Sequence, residues 1–308
     1  MTLSEKIRAS YLVRKTRAQK TAFIDMMQSE FPNMIVEEGG PLKSRNLIVG
    51  DVASAKVVVT AHYDTCTMLP VPNLIMPKNF ILTVLYSLLI AMPILVITVG
   101  VEILLRALTD HFLIAYWGAL ALMLGLCYFL LIGGKANPST VNDNTSGVIM
   151  LCELIARCRE AGVNDVAFVF FDHEELGLFG SSFFRSKHKK QMKEKLLLNF
   201  DCISDGDHML LVLNKAARER YGALFKSCFT DTEKKTVHIE HSSHTFYPSD
   251  QAGFPISAAV SAMKKKGRIL YLDRIHTRKD TAWDEENMTY LADKTLALLA
   301  AACGGAEE

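Results

Sequence analysis

Residues 55–64, AKVVVTAHYD, decide the fold. A nearly continuous apolar run rich in β-branched valine reads as a strand buried on both faces, the kind that sits inside a parallel sheet. His62 and Asp64 lie two residues apart at the end of this run, so the two-residue period of a strand sends both side chains to one side. Moving outward, SRNLIVG (44–50), DVAFVFFDHEE (165–175) and KLLLNFDCI (195–203) repeat the strand pattern, the last two ending in carboxylates.

Helical patterns separate these runs. Residues 3–30 place Ile7, Tyr11, Phe23, Met26 and Met27 at helical spacing with basic residues between, which predicts one amphipathic helix. Thr145–Ala161 is periodic, follows the turn-forming NDNTSG and stops at Gly162, and Met288–Ala302 reads as a closing helix. Strands alternating with helices predict an α/β fold with a mixed, mostly parallel sheet covered on both faces. In such sheets active sites form beyond the carboxyl ends of the strands, where the polar residues of this chain collect.

Hydrophobicity is concentrated in one insertion. Asn79–Val101 is 23 residues without a charge and Phe112–Ile132 is another 21, each long enough for a bilayer span of about 20 residues. Only a short turn carrying Glu102, Arg106, Asp110 and His111 joins them, so residues 79–132 are expected to form a transmembrane helical hairpin with spans of about 79–105 and 111–132. Pro93 is a candidate kink. A hairpin returns the chain to the side it left, so residues 1–78 and 133–308 are expected to build one discontinuous domain. The basic residues Lys78 and Lys135 outnumber Arg106 at the hairpin tip, and MTLSEKIRASYLVRKTRAQK carries no apolar signal region. Both features predict a two-pass protein of the cell membrane with its discontinuous domain in the cytoplasm.

The bulk properties narrow the partners. At 308 residues the chain can bury a large core, and a net charge of +1 gives no basis for binding nucleic acid. Its seven cysteines form no CxxC pair and their number is odd, as expected of reduced, mostly buried thiols.

The chemistry lies in the polar residues that interrupt this apolar pattern. Glu174 and Glu175 follow directly on an apolar strand, a costly place for two carboxylates unless they bind a cation or share a proton. Neighbours at a strand end point in different directions, so one can ligate a metal while the other faces a water to be activated. Asp143 opens a helix after a polar turn, where it could cap the helix or bridge two ions with its two oxygens. Asp201 ends a strand and His276 sits in a loop before the last helix. Two histidines and three carboxylates, with a fourth beside them, suit a pair of divalent ions. Asp64 can support His62, because a ligating imidazole normally donates its second N–H to an acceptor.

The motifs AHYD, NDNTSG, DHEELGLFGS, NFD, SDQAGFP and HTRKDT, in this order, resemble the M28 family of zinc aminopeptidases over residues 57–66 and 137 to about 303. The resemblance implies a three-layer α/β/α sandwich and two Zn2+ ions, one held by His62 and Asp201, the other by Glu175 and His276, with Asp143 bridging. Co2+ or Mn2+ would suit the same N/O ligands. It further implies Glu174 as general base on a metal-bridging water, Asp64 as the residue orienting His62, and a cis peptide at Asp143–Asn144. The substrate would be a peptide with a free amino terminus or another small amide. Two departures stand out: the hairpin fills the usually short stretch between AHYD and NDNTSG, and the family's SDH reads Ser249-Asp250-Gln251. Tyr247 is a candidate donor to the developing oxyanion. Alternative functions on this fold are a membrane-anchored scaffold without catalysis and a single-zinc aminoacyl cyclase; retention of all five ligands and the base favours the peptidase.

Overall fold

A computed structural model describes residues 1–304. Its helices are α1 (Leu3–Ser10), α2 (Arg17–Glu30), α3 (Phe80–Thr109), α4 (Phe112–Tyr128), α5 (Gly147–Ala161), α6 (Phe179–Lys187), α7 (Lys215–Cys228) and α8 (Glu285–Gly304). Its strands are β1 (Ile35–Gly39), β2 (Ser44–Val49), β3 (Val57–His62), β4 (Val166–Phe171), β5 (Leu196–Phe200), β6 (His208–Leu213), β7 (Thr236–His241), β8 (Ser257–Lys266) and β9 (Ile269–Tyr271). They form a single sheet in the order β1-β2-β4-β3-β5-β8-β6-β7, with β9 added to β8.

The central strands β4, β3, β5 and β8 run parallel, while β2 on β4 and β6 on β8 are antiparallel, so the sheet is mixed as the alternating pattern requires. Strand alternation explains the two-sided burial. Val57, Val59, Ala61, Phe168, Phe170, Leu196 and Leu198 face a large core shared with α2, α5 and α8. Val58, Ala167, Val169, Phe171 and Leu197 face a smaller core closed by Phe184 of α6, Met192 and Phe254. The result is helix, sheet and helix in three layers.

Residues 3–30 form two helices where the periodicity predicts one. Thr2 and Thr16 each make a capping box with the residue three positions on, which starts α1 and α2 separately. Between them the chain unwinds to bury Arg14, whose guanidinium donates to the Tyr63 and Tyr11 carbonyls and the Thr145 hydroxyl. Satisfying those buried acceptors outweighs continuing the helix.

The apolar insertion folds as two antiparallel helices outside the sandwich. The first runs unbroken through Pro93 and four residues past the expected end, to Thr109; the second continues through a π-turn at Phe129–Gly133. Both are long and apolar enough to cross a bilayer, and no residue of α3 is buried. Their contact uses small residues: Ala115 and Ala119 are buried, and a Cβ on Gly118 would stand 2.8 Å from Leu105 Cδ1. The last four residues of the expected 133–308 segment lie outside the described residues.

Candidate metal centre

Parallel pairing brings the strand ends level. His62 pairs with Phe171 across β3 and β4, and Thr60 pairs with Asn199 across β3 and β5, so His62, the Asp172–Glu175 turn and Asp201 meet at one edge of the sheet. Asp143 arrives from the turn before α5, packed so closely on β5 that a Cβ on Gly147 would lie 2.7 Å from the Phe200 carbonyl. Asn144 Nδ2 donates to that carbonyl at 2.8 Å, and the Asp143–Asn144 peptide is cis. His276 and Cys202 sit at positive φ, as do His173 and Leu178 in the glutamate turn. Four left-handed non-glycine residues around one cleft mark backbone strain held by its surroundings.

All seven residues expected from the sequence converge. His62 Nε2 lies 3.3 Å from Asp143 Oδ1 and 3.7 Å from Asp201 Oδ1; His276 Nε2 lies 3.1 Å from Asp143 Oδ2 and 3.2 Å from Glu175 Oε2. Thus the two oxygens of Asp143 address different histidines. Two ligand atoms about 2 Å from one tetrahedral ion stand roughly 3.3 Å apart, so these separations fit a shared ion at each oxygen. Glu175 Oε1 and Asp201 Oδ1 are buried and have no hydrogen-bond partner, the signature of acceptors made for a cation. The donor set, nitrogen and oxygen with no thiolate needed, suits zinc or a similar divalent ion. Cys66 lies beside Glu175 and His276, and burial pushes its thiol pKa well up.

Electrostatics follow from crowding acids and imidazoles in a dry site. Burial opposes the His62 imidazolium, yet Glu174 and the carboxylates of Asp143, Asp201 and Asp64 together raise its pKa well above the ordinary value. His276 is likewise raised despite burial, chiefly by Asp143. Burial acts to raise Asp143, but the two histidines override it and hold it low. Glu174 and Glu175 are pushed well up by burial and by neighbouring acids.

Two expected roles change in detail. The nearest acceptor for His62 Nδ1 is the Asp64 carbonyl at 3.2 Å, whereas its carboxylate is 3.7 Å away, beyond a hydrogen bond. That carboxylate instead accepts the Glu174 and Glu175 N–H groups at 3.0 and 3.3 Å and so holds the glutamate turn. Tyr247 is not free to meet an oxyanion, because its hydroxyl is turned to the Asp201 carbonyl at 3.0 Å and Ser261 Oγ at 3.1 Å. Gln251, in place of the family's histidine, pins this loop: Nε2 donates to Tyr247 O at 2.7 Å and Oε1 accepts from Asn199 at 3.2 Å.

A supporting layer was not singled out in the sequence. Asp280 accepts the N–H groups of Asn142 and Asp143, both at 3.0 Å, with its pKa pushed to about 8 by burial and Asp143. Lys20 reaches from α2 to Asp172 at 2.7 Å, with side chains only 4% and 1% exposed. Its ammonium also donates to His173 Nε2 at 2.7 Å; that nitrogen must then be the acceptor, so Nδ1 carries the proton toward Ser44 Oγ. Asp172 and Asp280 lie inside quoted motifs, whereas Arg14 and Lys20 look like ordinary surface cations in the sequence.

The sequence profile of peptidase family M28 matches residues 122–301. The chain belongs to peptidase family M28. The match takes in Asp143, Glu174, Glu175, Asp201 and His276, while His62 and Asp64 precede it. This M28 chain is 29% identical over 126 residues to a probable leucine aminopeptidase 2 of Aspergillus fumigatus, covering 37% of its own length and 25% of the relative's. The matched part therefore spans a quarter of that protein. Among solved structures it superposes on the LapA aminopeptidase of Legionella pneumophila with a TM-score of 0.59 at 13% identity, covering 99% of this chain and 70% of that one. A Zn-dependent exopeptidase of Parabacteroides distasonis gives 0.56 at 13% identity, with 96% and 97% covered. Glutaminyl cyclase of Porphyromonas gingivalis gives 0.54 at 13%, with 97% and 98% covered. These likenesses establish the shared α/β fold.

Proposed function

We propose that this M28 chain is a membrane-anchored aminopeptidase working with two divalent ions, zinc as in the Zn-dependent exopeptidase that shares its fold. The observation that carries the reading is Asp143 directing one oxygen to each histidine while buried oxygens of Glu175 and Asp201 lack partners. His62 and Asp201 would hold one ion, Glu175 and His276 the other, and Asp143 both. When bound, such ions supply Lewis acidity to a substrate carbonyl and lower the pKa of water.

The chain's own residues do the rest. Glu174, whose pKa burial raises well above the ordinary carboxylate range, takes the proton from the attacking water and delivers it to the departing amine nitrogen. Asp64 fixes the turn that aims it, through the Glu174 and Glu175 N–H groups. Asn73, Ile75, Leu178 and Ile275 line the cleft, of about 280 Å3, and would receive the first side chain of a peptide.

Residues 79–132 serve as the bilayer anchor, inserted in a domain made of residues 1–78 and 133–308, with the cleft on the cytoplasmic side. Glu174→Gln is expected to lower hydrolysis of aminoacyl amides by about 10²–10⁴-fold with metal content unchanged. Full activity in that variant, or none in the metal-loaded wild type, overturns the assignment. Glutaminyl cyclisation by the wild type without amide cleavage would select the cyclase instead.

A further inference from the structure

The two apolar helices leave the sandwich at the rim of the metal centre. After Cys66 the chain runs along the cleft as a strap. Leu69 N–H donates to the His276 carbonyl at 2.8 Å, Asn73 N–H to Ile275 O at 3.3 Å, and Ile75 exchanges bonds with Leu272 at 3.2 and 2.9 Å. Phe246 N–H, next to Tyr247, donates to Pro77 O at 2.9 Å, and its ring packs edge-on against Phe80 at 5.4 Å, where α3 begins. The second helix ends equally close: Thr67 Oγ1 donates to Leu131 O at 3.0 Å, and a small cavity of about 100 Å3 joins Leu131 and Ile132 to Asp64 and Glu175. Two of the loops that carry cleft residues, those of Ile275–His276 and Tyr247–Pro248, are therefore bonded to the strap that leads into the hairpin.

The surface around those roots is built for an interface. Outside the hairpin the exposed large hydrophobics among the described residues are Met1, Ile35, Leu42, Val71 and Phe246, and two of these five, Val71 and Phe246, stand on this rim. Lys135, exposed, follows the second helix, where an ammonium favours anionic headgroups, while Lys78, before the first, is paired with Glu240. A second, mostly apolar hollow of about 290 Å3 shares Leu178, Tyr247 and Pro248 with the catalytic cleft and extends it to Phe246, toward the root of α3.

We propose that the substrate of this site is a peptide already adsorbed on the bilayer that holds the hairpin. Its free amino terminus enters at Glu174 and Glu175, and its following apolar residues lie along the hollow toward Phe246 and the headgroups. This rests on the aminopeptidase and anchor readings and adds the substrate class. The physical gain is concentration: enzyme and peptide share one surface, so encounter becomes a two-dimensional search, and the peptide's apolar body need not return to water.

The test uses the full-length chain loaded with zinc in nanodiscs of phosphatidylcholine and phosphatidylglycerol. Three substrates are compared: leucine amide, and two peptides that share the start Leu-Ala-Ala-Ser, one continued by an amphipathic membrane-adsorbing helix and the other by a polar, non-adsorbing tail. The expected result is cleavage of all three, with kcat/KM at least about tenfold higher for the adsorbing peptide. That ratio is expected to shrink in the double variant Val71→Asp/Phe246→Asp. Equal kcat/KM for the two peptides, with leucine amide cleaved, overturns the inference and leaves the aminopeptidase standing. A preference that the double variant keeps in full overturns the placement of the peptide on this rim. No cleavage of any of the three overturns the aminopeptidase reading and the inference with it.

Discussion

Replacing Lys20 by methionine tests how the glutamate turn is held. The ammonium lies 2.7 Å from Asp172 Oδ1, with the two side chains 4% and 1% exposed, so water cannot take its place. Methionine keeps most of the stem and removes only the charge. Asp172 would retain the backbone N–H groups of Arg45 and His173, each at 3.0 Å, but would face the interior as an uncompensated carboxylate. Breaking one side of a buried pair costs about 3–5 kcal/mol. The two remaining donors place this site near the low end, about 3 kcal/mol, or roughly a 150-fold loss in the folding equilibrium. For a domain of this size that corresponds to a drop in Tm of roughly 6–12 °C. Thermal unfolding of detergent-solubilised protein at fixed zinc reads it directly. Asp172→Asn in the same background should add less than it does alone, because the charge left unpaired is then gone. A Tm within about 1 °C of wild type for Lys20→Met refutes the reasoning, since surface pairs behave that way and buried ones do not.

Other consequences follow from the same geometry. The surrounding carboxylates raise the pKa values of His62 and His276 above the ordinary, so in the metal-free protein each imidazole holds its proton to higher pH and must give it up to ligate. Zinc affinity should therefore rise with pH, about tenfold per unit for each proton released, and level off above the raised pKa values; calorimetry in buffers of different ionisation enthalpy measures the release, and a pH-independent affinity contradicts it. Gly118→Ile forces a branched side chain toward Leu105, 2.8 Å from the position of its Cβ, and should loosen the hairpin by about 1–3 kcal/mol, seen as a lowered Tm in detergent. An unchanged Tm would place the helix contact elsewhere.

Much of this was legible in the sequence because strand burial and strand-end polarity are local signals. VVVTAHYD and VAFVFFDHEE each carry their strand and their candidate site residues within a dozen residues, and parallel pairing brings them together. The two long apolar helices were equally plain, since length and absence of charge suffice to mark them. Arg14, Lys20 and the break at residues 11–16 were not legible. Their role depends on acceptors more than 45 positions away, Tyr63 O for Arg14 and Asp172 for Lys20, and a buried lysine looks in sequence like an exposed one. Asp64 illustrates a finer limit: spacing put its carboxylate beside His62, but the open N–H groups of the Glu174–Glu175 turn offered it stronger partners. Tyr247 likewise pointed the right way along the chain, and its hydroxyl was then captured by Asp201 O.

The central claim is that Asp143 joins two ions in one site. Metal content of the purified full-length chain, measured together with aminoacyl amide hydrolysis for wild type and Asp143→Asn, tests it most directly. The account predicts two ions per wild-type chain, and in Asp143→Asn a loss of bound metal accompanied by a loss of hydrolysis. One ion per active wild-type chain, or two ions and full activity in Asp143→Asn, would contradict it.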